Sequence, residues 1–169
     1  MKVVAINGSP KEQGNTFAAI RAVCDQLEAE DIRCEIIHIG NKPIRGCIAC
    51  GQCGKNRDEK CVLQGDAVNE WIQKIKEADG LILGSPVYFS AIAGTMKCFL
   101  DRAFFVASTN GGLFRHKIGV SVVADRRAGA VPTYNQLNNY INYAEMFMPS
   151  SNYWNVTYGT VPGDGVIDI

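Results

Sequence analysis

The chain has 169 residues, 47% of them hydrophobic and 20% charged, the size and balance of one ordinary globular domain. Its 17 Lys and Arg match its 17 Asp and Glu, and a zero net charge gives no general attraction to nucleic acid or to an anionic membrane. No apolar run approaches the ~20 residues of a membrane span and no signal peptide opens the chain, so the expected location is the cytoplasm, where seven cysteines point to metal or redox chemistry more than to structural disulfides.

The first element is the apolar, β-branched run Lys2-Val3-Val4-Ala5-Ile6, a buried strand near residues 2–7. Phe17, Ile20, Val23, Cys24 and Leu27 then recur at helical spacing and predict a helix near 15–29, with Asn15 or Thr16 as its N-cap. Between them lies Gly8-Ser9-Pro10-Lys11-Glu12-Gln13-Gly14-Asn15-Thr16, small or hydroxylated residues with one lysine. Such a loop brings backbone N–H groups together at the positive end of a helix dipole, a site for a phosphate; an ordinary capped turn is the other reading. It is not a Walker A loop, because five residues separate the glycines and Asn15 stands where the lysine belongs, and it is not G-x-G-x-x-G.

A second strand is expected near 33–39 and a cysteine-rich segment from Gly40 to about Leu63. Val68, Trp71, Ile72, Ile75 and Ala78 form one stripe of a helix near 65–78. A third strand covers 80–85, a loop runs from Pro86 to Ala93, and a third helix covers 94–107. A fourth strand lies near 117–124, a loop spans Asp125 to Pro132, a fourth helix covers 133–148, and a fifth strand lies near 152–158. Apolar strands alternating with helices predict a three-layer α/β sandwich around a parallel sheet, in a single domain over 1–169. Five such strands fit the doubly wound order 2-1-3-4-5, whose ligands sit outside the carboxyl ends of strands 1 and 3. The loop after strand 3, Ser85-Pro86-Val87-Tyr88-Phe89-Ser90-Ala91-Ile92-Ala93-Gly94, offers two aromatic rings that suit a flat ligand. Beside a phosphate loop, that combination points to FMN.

Ile6-Asn7-Gly8-Ser9-Pro10-Lys11 with Gly14-Asn15-Thr16, then Gly84-Ser85-Pro86-Val87-Tyr88 and Gly94-Thr95-Met96-Lys97-Cys98-Phe99-Leu100-Asp101-Arg102, resemble the three motifs of the NAD(P)H-dependent FMN reductase group of the flavodoxin-like superfamily. The resemblance implies a flavodoxin-like fold, non-covalent FMN, NAD(P)H as electron donor, and a homo-oligomer, dimer or tetramer, whose subunits share the flavin site. It implies that Ser9, Lys11, Asn15 and Thr16 hold the phosphate and that Pro86, Val87, Tyr88, Phe89 and Ser90 line the isoalloxazine. The loop Asp125-Arg126-Arg127-Ala128-Gly129-Ala130 would close over the ring edge, with Asp125 and Arg127 as contacts.

Cys47, Cys50, Cys53 and Cys61 form C-x2-C-x2-C-x7-C within an insertion at about 45–62. Cysteines two residues apart suit zinc or a redox pair, and three in series with a fourth nearby are closer to cluster ligation. Free thiols remain a third reading. The segment resembles the compact cysteine motif of iron–sulfur flavoproteins in the same superfamily, which implies a [4Fe–4S] cluster. It has few apolar residues of its own, so ligation is expected to supply much of its order, and it is expected on the flavin side of the molecule. Cys24, Cys34 and Cys98 lie at core-like spacing as inert thiols, and His38 and His116 pair with no nucleophile.

There is no G-x-S-x-G elbow and no cysteine followed by five residues and an arginine, so neither a serine hydrolase nor a cysteine phosphatase is indicated. Three functions remain: an NAD(P)H-linked flavin enzyme, an electron carrier exchanging electrons with a ferredoxin-like protein and lacking a dedicated small substrate, and a non-redox sensing module. On the fourth helix, Tyr134, Leu137, Ile141, Ala144 and Met148 form one stripe and Tyr140, Tyr143 and Phe147 a second, an apolar arc wider than one face needs. The sequence stops at Ile169, just after the last expected strand, where a fifth helix would return to cover the sheet; the expectation is that either the chain is truncated there or a neighbouring subunit or partner covers that face.

Overall fold

The computed structural model describes residues 1–161. Six β-strands and five α-helices follow in the order β1 (Lys2–Asn7), α1 (Asn15–Ala29), β2 (Arg33–His38), α2 (Gln52–Asn56), α3 (Val68–Glu77), β3 (Gly80–Tyr88), β4 (Ala91–Ile92), α4 (Gly94–Thr109), β5 (Ile118–Asp125), α5 (Ala130–Tyr143) and β6 (Val156–Tyr158). The sheet runs β2-β1-β3-β5-β6 with every neighbour parallel, and β4 folds back antiparallel on the end of β3. Without that short β4, this is the expected five-strand order 2-1-3-4-5.

Alternation along each strand sorts side chains between two cores. Val3 and Ala5 of β1, Ile82 of β3 and Val122 of β5 pack against Ala19, Ile20 and Cys24 of α1. Val4 and Ile6, Leu81 and Leu83, and Val123 turn to the other face, under α3, α4 and α5. That larger core is knit by aromatic edges. Trp71 meets Phe99 at 5.8 Å between ring centroids, and Phe104 meets Phe114 and Tyr140, each at 5.2 Å. The T-shaped geometry sets a positive ring edge against a negative face.

The structure amends several expected boundaries. The third strand runs on to Tyr88, because the expected loop pairs with itself through Val87–Ile92 and Tyr88–Ala91. The fourth helix spans Ala130–Tyr143 rather than 133–148, starting from Gly129 in the left-handed region at φ 98°. Met148 therefore leaves the expected stripe, and Tyr143 and Phe147 are exposed, while Tyr140 turns inward and hydrogen-bonds Asp101. The fifth strand is shorter, Val156–Tyr158. The fifth-helix expectation concerns residues past Val161 that lie outside the described residues. On the α1 side, Ala19, Val23, Val120, Val122 and Pro149 line an open apolar groove of about 240 Å³. No helix among the described residues is long and apolar enough to cross a membrane.

Cys24 is fully buried beside Cys34, and burial, then its hydrogen bond to Cys34, raises its thiol well above the usual range, which makes it inert. Phe99 sits wholly buried between the α3 stripe and the sheet, where truncation leaves a cavity that a rigid β-sheet cannot close. Phe99→Ala is therefore expected to lower unfolding free energy by about 3–5 kcal/mol. Urea denaturation followed by far-UV circular dichroism checks this; a loss below 1 kcal/mol would contradict the packing described.

Candidate functional site

At the carboxyl edge of the sheet the chain turns from β1 into α1 through residues 8–14. Asn7 is fully buried and shapes this turn: its Oδ1 accepts from the Ser9 N–H at 3.0 Å, and its Nδ2 donates to the Glu12 carbonyl at 3.0 Å. Ser9 Oγ accepts from the Lys11 N–H at 3.2 Å, and the Gly8 N–H donates to the Gly84 carbonyl at 2.9 Å. Behind the loop, His38 Nε2 meets the Ser9 carbonyl at 2.7 Å. The N-cap of α1 is Gly14, not Asn15 or Thr16, and no side chain caps it. Both residues instead belong to the first turn, where helix N–H groups lack intrahelical partners.

These residues form one wall of a cavity of about 200 Å³. Ser9, Lys11, Gly14, Asn15 and Thr16 line it from the first loop, and Pro86, Val87 and Tyr88 from the end of β3. Ala124, Asp125 and Arg126 close it from β5, and Gly159 and Thr160 from beyond β6. Three sequence-predicted contacts, Phe89, Ser90 and Arg127, stand elsewhere. Phe89 and Ser90 occupy the two-residue turn of the β3–β4 hairpin, with φ of 51° and 59°, and the Phe89 ring is fully exposed. The third loop offers Arg126 to the cavity, while Arg127 gives its N–H to Asp125 Oδ1 at 3.1 Å. Gln136 braces the hairpin through Ser90 O and the Ile92 N–H.

Two buried polar atoms on the cavity wall have no hydrogen-bond partner among the described residues: the Thr16 hydroxyl, in a residue 1% exposed, and Asp125 Oδ2, in a residue 5% exposed. A hydroxyl at a helix N-terminus beside Lys11 fits a phosphate oxygen. The Asp125 carboxylate can only accept; it repels a phosphate and fits a ribityl hydroxyl or ring N–H. The donor set thus fits FMN laid with its phosphate on α1 and its ring toward β3 and β5.

The four predicted ligand cysteines meet at a second cavity. Cys47, Cys50, Cys53 and Cys61 line a small apolar chamber of about 20 Å³ with Ile48, Val62, Leu63, Phe105, Val106 and Arg102. Among the described residues, no three His, Cys, Asp or Glu side chains converge to hold a single ion. A four-cysteine set in an apolar chamber fits an iron–sulfur cluster.

Sequence reasoning missed what holds this segment. Arg102 on α4 is fully buried, ion-paired to Asp66, and bonded to Cys61 Sγ and the Arg45 and Leu63 carbonyls. Burial opposes its charge, but Asp66 and Cys61 more than offset that and hold its pKa above the usual value. Asn69 Oδ1 accepts from the Cys61 N–H and its Nδ2 donates to the Cys61 carbonyl, each at 2.8 Å, and Asn110 Nδ2 donates to the Cys53 carbonyl at 3.2 Å. A signal was present: Arg102 falls three residues after Phe99 and four before Val106, on the apolar stripe of α4.

The segment's place also differs from expectation. Gly46 lies against Cys98 near the start of α4, and Gly54 against Thr109 at its end. Arg102 and Val106 are eight and twelve residues into the helix, about 12–18 Å from its start at the flavin edge. The cysteine chamber and the first cavity share no lining residue. Parallel strands send the following helix back down the sheet, so a segment packed along α4 is carried away from the carboxyl edge.

The family model for NADPH-dependent FMN reductase matches residues 1–161. The chain belongs to that family. It is an FMN reductase-like flavoprotein and an oxidoreductase. An iron–sulfur flavoprotein of Methanocaldococcus jannaschii is 36% identical over 97% of this chain and 86% of its own length. One from Archaeoglobus fulgidus is 31% identical over 97% of this chain and 71% of its own. Among solved structures, a flavoenzyme NAD(P)H:acceptor oxidoreductase of Paracoccus denitrificans superposes with a TM-score of 0.67 at 16% identity, covering 98% of this chain and 86% of that one, a likeness of fold.

In this reductase the backbone of the phosphate-side loop rests directly on Gly40. A Cβ there would lie 2.0 Å from the Ser9 carbonyl oxygen and 2.6 Å from that of Gly8, atoms that cannot rotate away. Gly40→Ala is expected to displace Ser9, cost about 1–3 kcal/mol of stability and weaken FMN binding by tenfold or more. Fluorescence titration of apoprotein with FMN checks it, and wild-type affinity would refute the close-packing argument.

Proposed function

We propose that the protein is an FMN-dependent oxidoreductase that takes electrons from NAD(P)H and passes them to an acceptor through a [4Fe–4S] cluster held by Cys47, Cys50, Cys53 and Cys61. The observation that carries this reading is that those four cysteines line one apolar chamber in a chain that also has the flavin cavity. The bound flavin supplies two-electron chemistry and the cluster one-electron transfer, so the pair splits electron pairs.

The residues divide the remaining work. Ser9, Lys11, Asn15 and Thr16 bind the phosphate at the N-terminus of α1. Pro86, Val87 and Tyr88 carry the ring, and Asp125 accepts from the flavin and fixes its orientation. Arg127 holds Asp125 in place through its backbone N–H. Phe89 and Ser90 stand at the rim, where an exposed ring suits contact with a neighbouring subunit. Exposed Phe89, Tyr143, Phe147, Tyr153 and Trp154 support a homo-oligomer, because single monomers rarely leave so many large rings in water. The distance along α4 from flavin edge to cysteine chamber favours electron passage between subunits.

A second reading has its own support. Ile48, Val62 and Phe105 line the cysteine chamber and are 47%, 38% and 40% exposed. An apolar rim around a redox chamber suits brief docking of a ferredoxin-like protein, with the protein acting as a carrier without a dedicated small substrate. Anaerobic stopped-flow mixing with NADH, NADPH and reduced ferredoxin separates the two: flavin bleaching by a pyridine nucleotide supports the enzyme, and bleaching by ferredoxin alone supports the carrier.

Two variants test the site assignments. Cys50→Ala should abolish iron and sulfide binding and leave FMN bound, since no residue is shared between the chambers. Iron and sulfide analysis after anaerobic purification reads this, and iron-free wild type would end the cluster reading. Thr16→Val should keep the fold and weaken FMN binding roughly tenfold, the worth of one hydrogen bond to a charged group. Unchanged affinity in the same titration would remove Thr16 from the phosphate site.

A further inference from the structure

Among the described residues Arg102 is the largest fully buried side chain, and its environment is unusually complete. A guanidinium has five N–H donors and no acceptor. All five are engaged: Nε to Cys61 Sγ at 3.3 Å, Nη1 to the Arg45 carbonyl at 3.2 Å and to Asp66 Oδ2, Nη2 to the Leu63 carbonyl at 3.0 Å and Asp66 Oδ1 at 3.2 Å. Its orientation is therefore over-determined, and the donor facing the cysteine chamber cannot swing away.

We propose that Arg102 is a positioning residue that sets the reduction potential of the cluster on Cys61, holding it more positive than the same four cysteines would alone. This rests on the reading that those cysteines carry a cluster. Two carbonyls and a carboxylate would meet the structural needs of a buried arginine. The remaining donor goes to sulfur, a weak acceptor as a thiol and a strong one as a thiolate. Among the described residues Arg102 is the one charged side chain lining the chamber, whose apolar walls are Ile48, Val62, Leu63, Phe105 and Val106. In so apolar a setting a fixed charge acts with little screening, whereas Lys42, Arg45, Lys55, Arg57 and Lys60 of the same segment do not line it. An electron added to a thiolate-bound cluster raises its negative charge, and an N–H donated to a ligand sulfur favours that reduced state. Asp66 opposes this by partly neutralising the guanidinium, so the pair Arg102–Asp66 fixes how much of the positive charge the sulfur feels.

The test uses holoprotein loaded with FMN, iron and sulfide under anaerobiosis. Wild type, Arg102→Gln and Asp66→Asn are titrated with reductant, the cluster followed by electron paramagnetic resonance and the flavin by visible absorbance. Arg102→Gln should shift the cluster potential to more negative values, and Asp66→Asn should shift it to more positive ones. The flavin potential should hold in both, because neither residue lines the flavin cavity. Removing Arg102 leaves Asp66 buried without its partner, and bound FMN serves as the check on folding. Should Arg102→Gln fail to fold or to take up iron, Asp66→Asn decides alone, because asparagine keeps an acceptor for the guanidinium. A cluster that titrates at the wild-type potential in either variant, or shifts with the opposite sign, overturns the proposal while leaving the cluster reading intact. A wild type that binds no iron overturns both.

Discussion

Between β1 and β3 the sheet reverses the direction in which it grows, and the first cavity follows from that reversal. β2 is added on one side of β1 and β5 on the far side of β3. The connections after β1 and β3 therefore leave in opposite directions and cannot cover the gap between them. A crevice is left at the carboxyl edge, with a helix N-terminus on one side and a hairpin on the other. Zero net charge is compatible with such a crevice, which a helix N-terminus and a few polar residues line rather than a broad charged surface.

The cysteine chamber depends on α4. That helix begins at the hairpin and ends beside the cysteine segment, so one rigid rod of 16 residues fixes both. Asn69, Gln73, Arg102 and Asn110 hold the segment by its backbone and one sulfur, and Lys76 pairs with its Glu59. The segment has little apolar surface and a single short helix, but its carbonyls and N–H groups have definite partners. Order thus comes in part from polar ties to a packed helix, where sequence alone suggested that ligation supplies much of it.

The legible parts of this protein were those written in periodicity and spacing. An apolar run ending at Asn7 and a stripe from Phe17 to Leu27 located β1 and α1 to the residue. Four cysteines at short spacing located the second centre. What could not be read was set by contacts between distant segments. The turn at Phe89 and Ser90 has neither of the residues that usually mark a tight hairpin, so the pairing of Val87 with Ile92 was hidden. The start of α5 was placed three residues late because Gly129 caps it in a conformation that only tertiary packing against Ser90 and Val87 reveals. Arg102 stands in the sequence only as the last residue of a family motif, and its role appears once Asp66, 36 residues away, is brought to it.

The hairpin at Phe89 and Ser90 has an entropic side. Both residues hold left-handed backbone that neither adopts readily, and two ladder pairs, Gln136 and the close approach of Gly129 lock them there. The conformational freedom that a surface loop normally surrenders when it meets another molecule has already been surrendered during folding. What stays free is the rotation of one aromatic side chain with two torsions. A ring presented in this way can be gripped and released quickly, since association and dissociation need no reordering of the loop that bears it.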